Sequence, residues 1–142
     1  MFCFLGRIDD NLIMKTIILL FFVFFSTSAM SDPLDYVART TQVMALAGLY
    51  ADWHTTREAG KYYYTPNPRT GLYHNETGMH HLFGKYPSAG EINSYFISYA
   101  LINLAVNKWA PKPFAIFFNS YQFTSHYNAY THNVSFGLSK TF

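Results

Sequence analysis

The sequence reads as mainly α: a small three-helix bundle with a long loop rich in Tyr, Gly and Pro and a short extended C-terminal tail. Three observations predict this. Apolar residues recur at helical spacing in three segments bounded by Asp, Ser and Pro signals. The tract between the first two is broken by Gly60, Pro66, Pro68, Gly71, Gly78, Gly84, Pro87 and Gly90. The final stretch alternates Val134, Phe136 and Leu138 with small polar residues, the period of a strand.

The first predicted helix begins at Asp32-Pro33, an acceptor for an N-cap followed by a proline suited to the first turn. It continues to about Glu58, with Val37, Thr41, Met44, Ala45, Gly48 and Leu49 at helical spacing. The second begins at Ser88, where Glu91 three residues later completes a capping box, and ends at Trp109 before Pro111 and Pro113. Asn93, Asn103 and Asn107 fall inside this mostly apolar segment and require hydrogen-bond partners; Asn103 is expected to be a structural polar residue. The third runs from near Pro113 to about Tyr130, with Phe114, Phe117, Phe118, Tyr121 and Ser125 on or near one stripe. Between the first and second, Tyr62-Tyr63-Tyr64 has the composition of a short strand, and the rest is a loop.

Ahead of these elements lies the grammar of a secretory signal peptide. Met14-Lys15 is a basic tip, residues 16–25 are apolar, and Ser26-Thr27-Ser28-Ala29 supplies small residues for cleavage after Ala29. The apolar core is about half the roughly twenty residues that a spanning helix needs. Asp9 and Asp10 are out of place in a leader that starts at Met1. Residues 1–13 are therefore expected to be a spurious N-terminal extension, 14–29 the signal peptide, and 30–142 a single small helical domain. The one cysteine, Cys3, lies in the extension, so neither a disulfide framework nor thiol chemistry is available to the domain.

The chain is 50% hydrophobic and 20% aromatic with 13% charged residues, against a usual charged fraction of about 25%. All 12 tyrosines and both tryptophans follow the leader, and rings with one polar tip favour a membrane interface. Membrane lipids and other envelope proteins are the expected partners. A net charge of +2 with scattered Lys and Arg does not fit nucleic acid. Arg57, Lys61, Arg69 and Lys85 follow the first helix, against Lys108 and Lys112 after the second, as a transmembrane first helix entering the cytoplasm would require.

Asp52-Trp53-x-Thr55-Thr56-Arg57, Gly84-Lys85-Tyr86-Pro87-Ser88 with Glu91, Tyr95 and Phe96, and the tail from Asn133 resemble a family of small uncharacterised proteins from proteobacteria and their phages. Thr55 stands where that family carries Gln, and His80-His81 where it carries Asn-Pro. The resemblance implies a helical membrane or exported protein and names no reaction.

Asp52, His54, His74, Glu76, His80 and His81 are the residue types that bind a divalent metal, with His126 and His132 further along. Their spacings match no ligand motif, and the plainer reading makes them hydrogen-bonding histidines among tyrosines. No metal or cofactor is therefore assigned. Asp52 follows the apolar centre of the first helix and needs a partner; Arg57 is poorly placed, which points to the loop or the second helix. No nucleophile triad or phosphate loop occurs in the sequence.

The function expected is that of a non-enzymatic exported protein of the cell envelope, in the inner membrane or periplasm. The alternatives are a metal-dependent envelope hydrolase built on the His, Asp and Glu residues and a small outer-membrane β-barrel.

Overall fold

A computed structural model of the chain describes residues 32–75 and 79–138, apart from the side chain of His80. The leader, its preceding extension, Glu76 and residues 139–142 lie outside the described residues. Among those described, the elements are α1 (Pro33–Ala59), a 3-10 turn (Gly60–Tyr62), α2 (His80–Phe83), α3 (Ala89–Trp109) and α4 (Lys112–Ser135), with no strand.

The starts of α1 and α3 follow from their caps. Asp32 accepts the Leu34 backbone N–H at 3.0 Å, and Pro33 occupies the first turn, where no N–H is needed. Ser88 accepts from the Glu91 N–H at 3.3 Å while Glu91 accepts the Ser88 N–H at 2.7 Å, the reciprocal capping box.

Cross-helix bonds give the directions. Lys112 meets Asp35, Asn119 meets Thr41, His126 meets Asp52 and Asn133 meets Thr56, so α1 and α4 run parallel. Trp53 meets Asn93 and Gln42 meets Asn103, so α3 is antiparallel to both. The bundle is up, down, up. The long loop sits at one end and the short turn at residues 110–111 at the other.

The inward positions follow heptad spacing with unusual occupants. On α1 they are Ala38, Gln42, Ala45, Leu49, Asp52, Thr56 and Ala59; on α4 they are Ala115, Asn119, Gln122, His126 and Asn133. Steps of three and four keep such residues on one facing seam. Here that seam is largely small and polar, so apolar side chains on these helices are left to point outward. Close approach depends on Gly48, where a Cβ would lie 3.1 Å from the Phe123 ring. A compact apolar core of Leu49, Met79, Ile92 and Phe96 forms only at the loop end.

Several expectations need correction. The tail is not extended: Asn133 to Ser135 belong to α4, which outruns the expected end near Tyr130. Gly137 adopts φ +88, the Leu138 N–H bonds Asn133 O and the Gly137 N–H bonds Val134 O. This Schellman geometry stops the helix and turns buried Leu138 inward, so the alternation marks a helix end. Residues 139–142 lie outside the described set. Tyr62 to Tyr64 form a 3-10 turn and a bend, and nothing described forms a barrel wall.

The loop is also more built than expected. Asn67 closes a turn through its backbone and side chain, and its Nδ2 donates to Phe136 O at 3.3 Å, while Arg69 donates to Gly137 O. The expected transmembrane first helix is not found: among the described residues no helix is long and apolar enough to cross a membrane. The unequal Lys and Arg counts therefore have no span to orient among the described residues.

Candidate functional site

Two polar clusters occupy the bundle axis. The first lies toward the short turn. Asn103, fully buried, donates from Nδ2 to Asn119 at 2.9 Å and to Gln122 at 2.7 Å, and its Oδ1 accepts from Gln42 at 3.3 Å. Asn107 and Asn119 exchange two further bonds at 3.0 Å, and Asn119 also donates to Ala38 O and Thr41. Asn103, marked in the sequence, is thus the centre of an amide network joining three helices. Gln122 Nε2, though buried, has no hydrogen-bond partner among the described residues.

The second cluster lies toward the loop. Asp52 is buried, and its Oδ2 is 2.7 Å from His126 Nδ1; its Oδ1 accepts from Thr56 at 3.2 Å. Asn133 donates to both Thr55 and Thr56, tying the upper end of α4 to α1. A partner of Asp52 that was not expected, His126, comes from α4. The reason is the parallel register, which sets each inward position of α1 against one of α4.

The motif around Asp52 is the molecule's main cross-link. Trp53 and Arg57 both donate to Asn93 Oδ1, at 2.9 and 2.8 Å, with the Arg57 guanidinium 5.9 Å from the Trp53 ring centre. Thus α1 reaches α3 through one face and α4 through the other.

Beside the Asp52–His126 pair is a cavity of about 300 Å³. Its lining mixes polar residues, Thr56, His74, Asn75, His132 and Asn133, with the larger Met79, Tyr95 and Phe96. His74 enters from the loop: its N–H bonds Tyr62 O at 3.0 Å, and its ring stacks on Tyr63 and meets Phe136 edge-on. The His126 ring is held between Phe96 and Tyr99, with centroids 5.8 and 5.5 Å away.

Of the residues singled out as metal ligands, Asp52 and His74 line this cavity. His54 sits beside Tyr50 and does not line it, His81 is exposed on α2, and Glu76 lies outside the described residues. Among the described residues no three His, Cys, Asp or Glu side chains are grouped to hold a metal ion. His126 and His132, six residues apart on α4, both border the cavity, whose lining also includes His74, Asn75 and Met79 of the loop and Tyr95 and Phe96 of α3. The heptad spacing of Asn119, His126 and Asn133 was the available signal for this seam.

The outer surface reverses the interior. Ile97, Leu101 and Leu104 form an outward stripe on α3, Phe114, Phe117 and Tyr121 one on α4, and Tyr36, Val37, Val43 and Met44 are exposed on α1. Trp109, 74% exposed, stands where α3 turns into α4, with Lys108 over its ring at 5.2 Å. These side chains flank the level at which the interior is filled by amides. The chain matches no family model, no curated protein and no solved structure.

Proposed function

We propose that the protein is a non-enzymatic exported component of the cell envelope that rests against membrane lipids through the apolar outer surface of its bundle. The observation that carries this is the inversion around Asn103: amides inside, Leu101, Ile102 and Leu104 outside on the same turns of helix. In water that arrangement leaves large apolar side chains hydrated and places the polar ones where they need mutual bonds. Against lipid it is favourable, since hydrocarbon covers the outward stripes and buried amides bond across helices. Trp109, Tyr36 and Tyr121 suit the headgroup boundary, where an apolar ring with a polar tip is at home. The leader-like residues 14–29 and the resemblance to small proteobacterial and phage proteins support the same setting.

Flotation with vesicles of phosphatidylethanolamine and phosphatidylglycerol tests this. Leu101→Ser with Phe117→Ser should lower vesicle partitioning by about tenfold or more, because each exposed ring or branch contributes roughly 1.5–3 kcal/mol when buried. Circular dichroism should be unchanged. Equal partitioning of the variant and the wild type would exclude the apolar stripes as the contact, and a concentration-dependent dimer lost in the variant would show that a second copy covers them instead.

A further inference from the structure

We propose that the cavity beside Asp52 and His126 binds a compact, uncharged, hydroxyl-bearing molecule the size of one sugar ring. The inference is independent of lipid contact, which uses the outward stripes near the other end of the bundle.

The decisive feature is the second nitrogen of His126. A carboxylate only accepts hydrogen bonds, so the ring donates to Asp52 from Nδ1, and in the neutral ring Nε2 is an acceptor. The side chain is 6% exposed, and Nε2 carries no hydrogen bond among the described residues. His126 lines the cavity, so this acceptor is placed to take a donor from a molecule held there. Asp52 also fixes the ring's orientation, the arrangement by which a carboxylate prepares an imidazole to meet a ligand.

The lining sets the ligand's character. Asp52 is the only Asp, Glu, Lys or Arg among the described lining residues, and it is engaged by His126 and Thr56. Among the described lining residues no further fixed charge is present to pair with an ionic ligand. Asn75, Asn133, His74 and His132 contribute directional polar groups to the lining, and Tyr95, Phe96 and Met79 contribute apolar surface. A ring with hydroxyls around its rim and C–H groups on its face suits such a mixed lining. A volume of about 300 Å³ is at the low end for small-molecule sites, which run from about 300 to 1,000 Å³, so one ring fits and a chain of them does not.

The test is titration of the full-length, ¹⁵N-labelled protein with glucose, observing the His126 Nε2 resonance through its two-bond ring couplings. A saturable shift is expected, with a dissociation constant on the order of 1 mM, as the small binding energy available per ligand atom dictates. Ala129→Leu fills the cavity from a lining position that bears no hydrogen bond to the Asp52–His126 pair, and should abolish the shift while leaving the helical circular dichroism intact. Maltose separates two sources of the same chemistry: a shift with glucose alone indicates a free monosaccharide, and a shift with both indicates the terminal ring of a glycan. No shift at about 100 mM glucose, a hundred times the expected constant, overturns the proposal. So does a shift that survives Ala129→Leu, or one that acetate reproduces.

Discussion

The loop end and the turn end of the bundle are built on opposite plans. At the loop end, Leu49, Ile92, Phe96 and Met79 form an ordinary apolar core, and the polar Asp52–His126 pair borders a cavity. At the turn end, Asn103, Asn107, Asn119, Gln42 and Gln122 fill the interior, while Leu101, Ile102, Phe114, Phe117 and Trp109 face outward. The difference teaches that one chain uses two ways of holding three helices together. Apolar burial carries the end sheltered by the loop, and a hydrogen-bonded amide network carries the end whose apolar side chains are directed elsewhere.

Variants at each end separate the two plans. The largest loss is expected for Asp52→Ala, which strips buried His126 and Thr56 of a charged acceptor; with roughly 1–3 kcal/mol for each orphaned group and more beside a charge, about 4 kcal/mol is expected, read as a fall in the urea midpoint. Asn103→Ala removes the partner of Gln42 and one partner each of Asn119 and Gln122, and should cost on the order of 3 kcal/mol, since each orphaned buried group contributes roughly 1–3. If Asn103→Ala costs nothing, the turn end is not held by its amides.

Smaller effects sharpen the contrast. Ser88→Ala removes the cap of α3 and should cost about 1 kcal/mol. The hydroxyl and backbone N–H of Ser88 hold the Glu91 carboxyl below its ordinary value of 4.5. Because the folded value is the lower one, this contribution is full above about pH 4.5 and is lost as pH falls through the folded value. The wild type should therefore lose stability on acidification more steeply than Ser88→Ala, which thermal melts between neutral and acid pH will show. Gln122→Met should cost only about 1 kcal/mol, because the relief of removing an unpartnered buried Nε2 offsets part of the loss of Oε1 as an acceptor for Asn103.

Much of this was legible in the sequence where the signal is local. Asp32-Pro33 and Ser88 with Glu91 announced two helix starts, because caps depend on residues three positions apart. Asn103 was recognisable as a polar residue needing partners. The partners were not, because Gln42, Asn119 and Gln122 are set by the register between helices distant in sequence. The same holds for Asp52, whose partner His126 is 74 residues away. The tail misled because Val134, Phe136 and Leu138 alternate, whereas Gly137 in the left-handed region was the decisive residue. The outward apolar stripes were also hidden: helical spacing shows which residues share a face, and only packing shows which face is buried.

On the proposed function, the apolar exterior of the turn end meets lipid while the loop end does not. Trp109 stands exposed at the former and Trp53 is bonded to Asn93 at the latter, so Trp53→Phe leaves one fluorophore on the proposed contact. With vesicles of phosphatidylethanolamine and phosphatidylglycerol, its emission should shift to the blue and be quenched by brominated acyl chains. Emission that keeps its wavelength and its quenching by aqueous iodide at saturating lipid would contradict the claim.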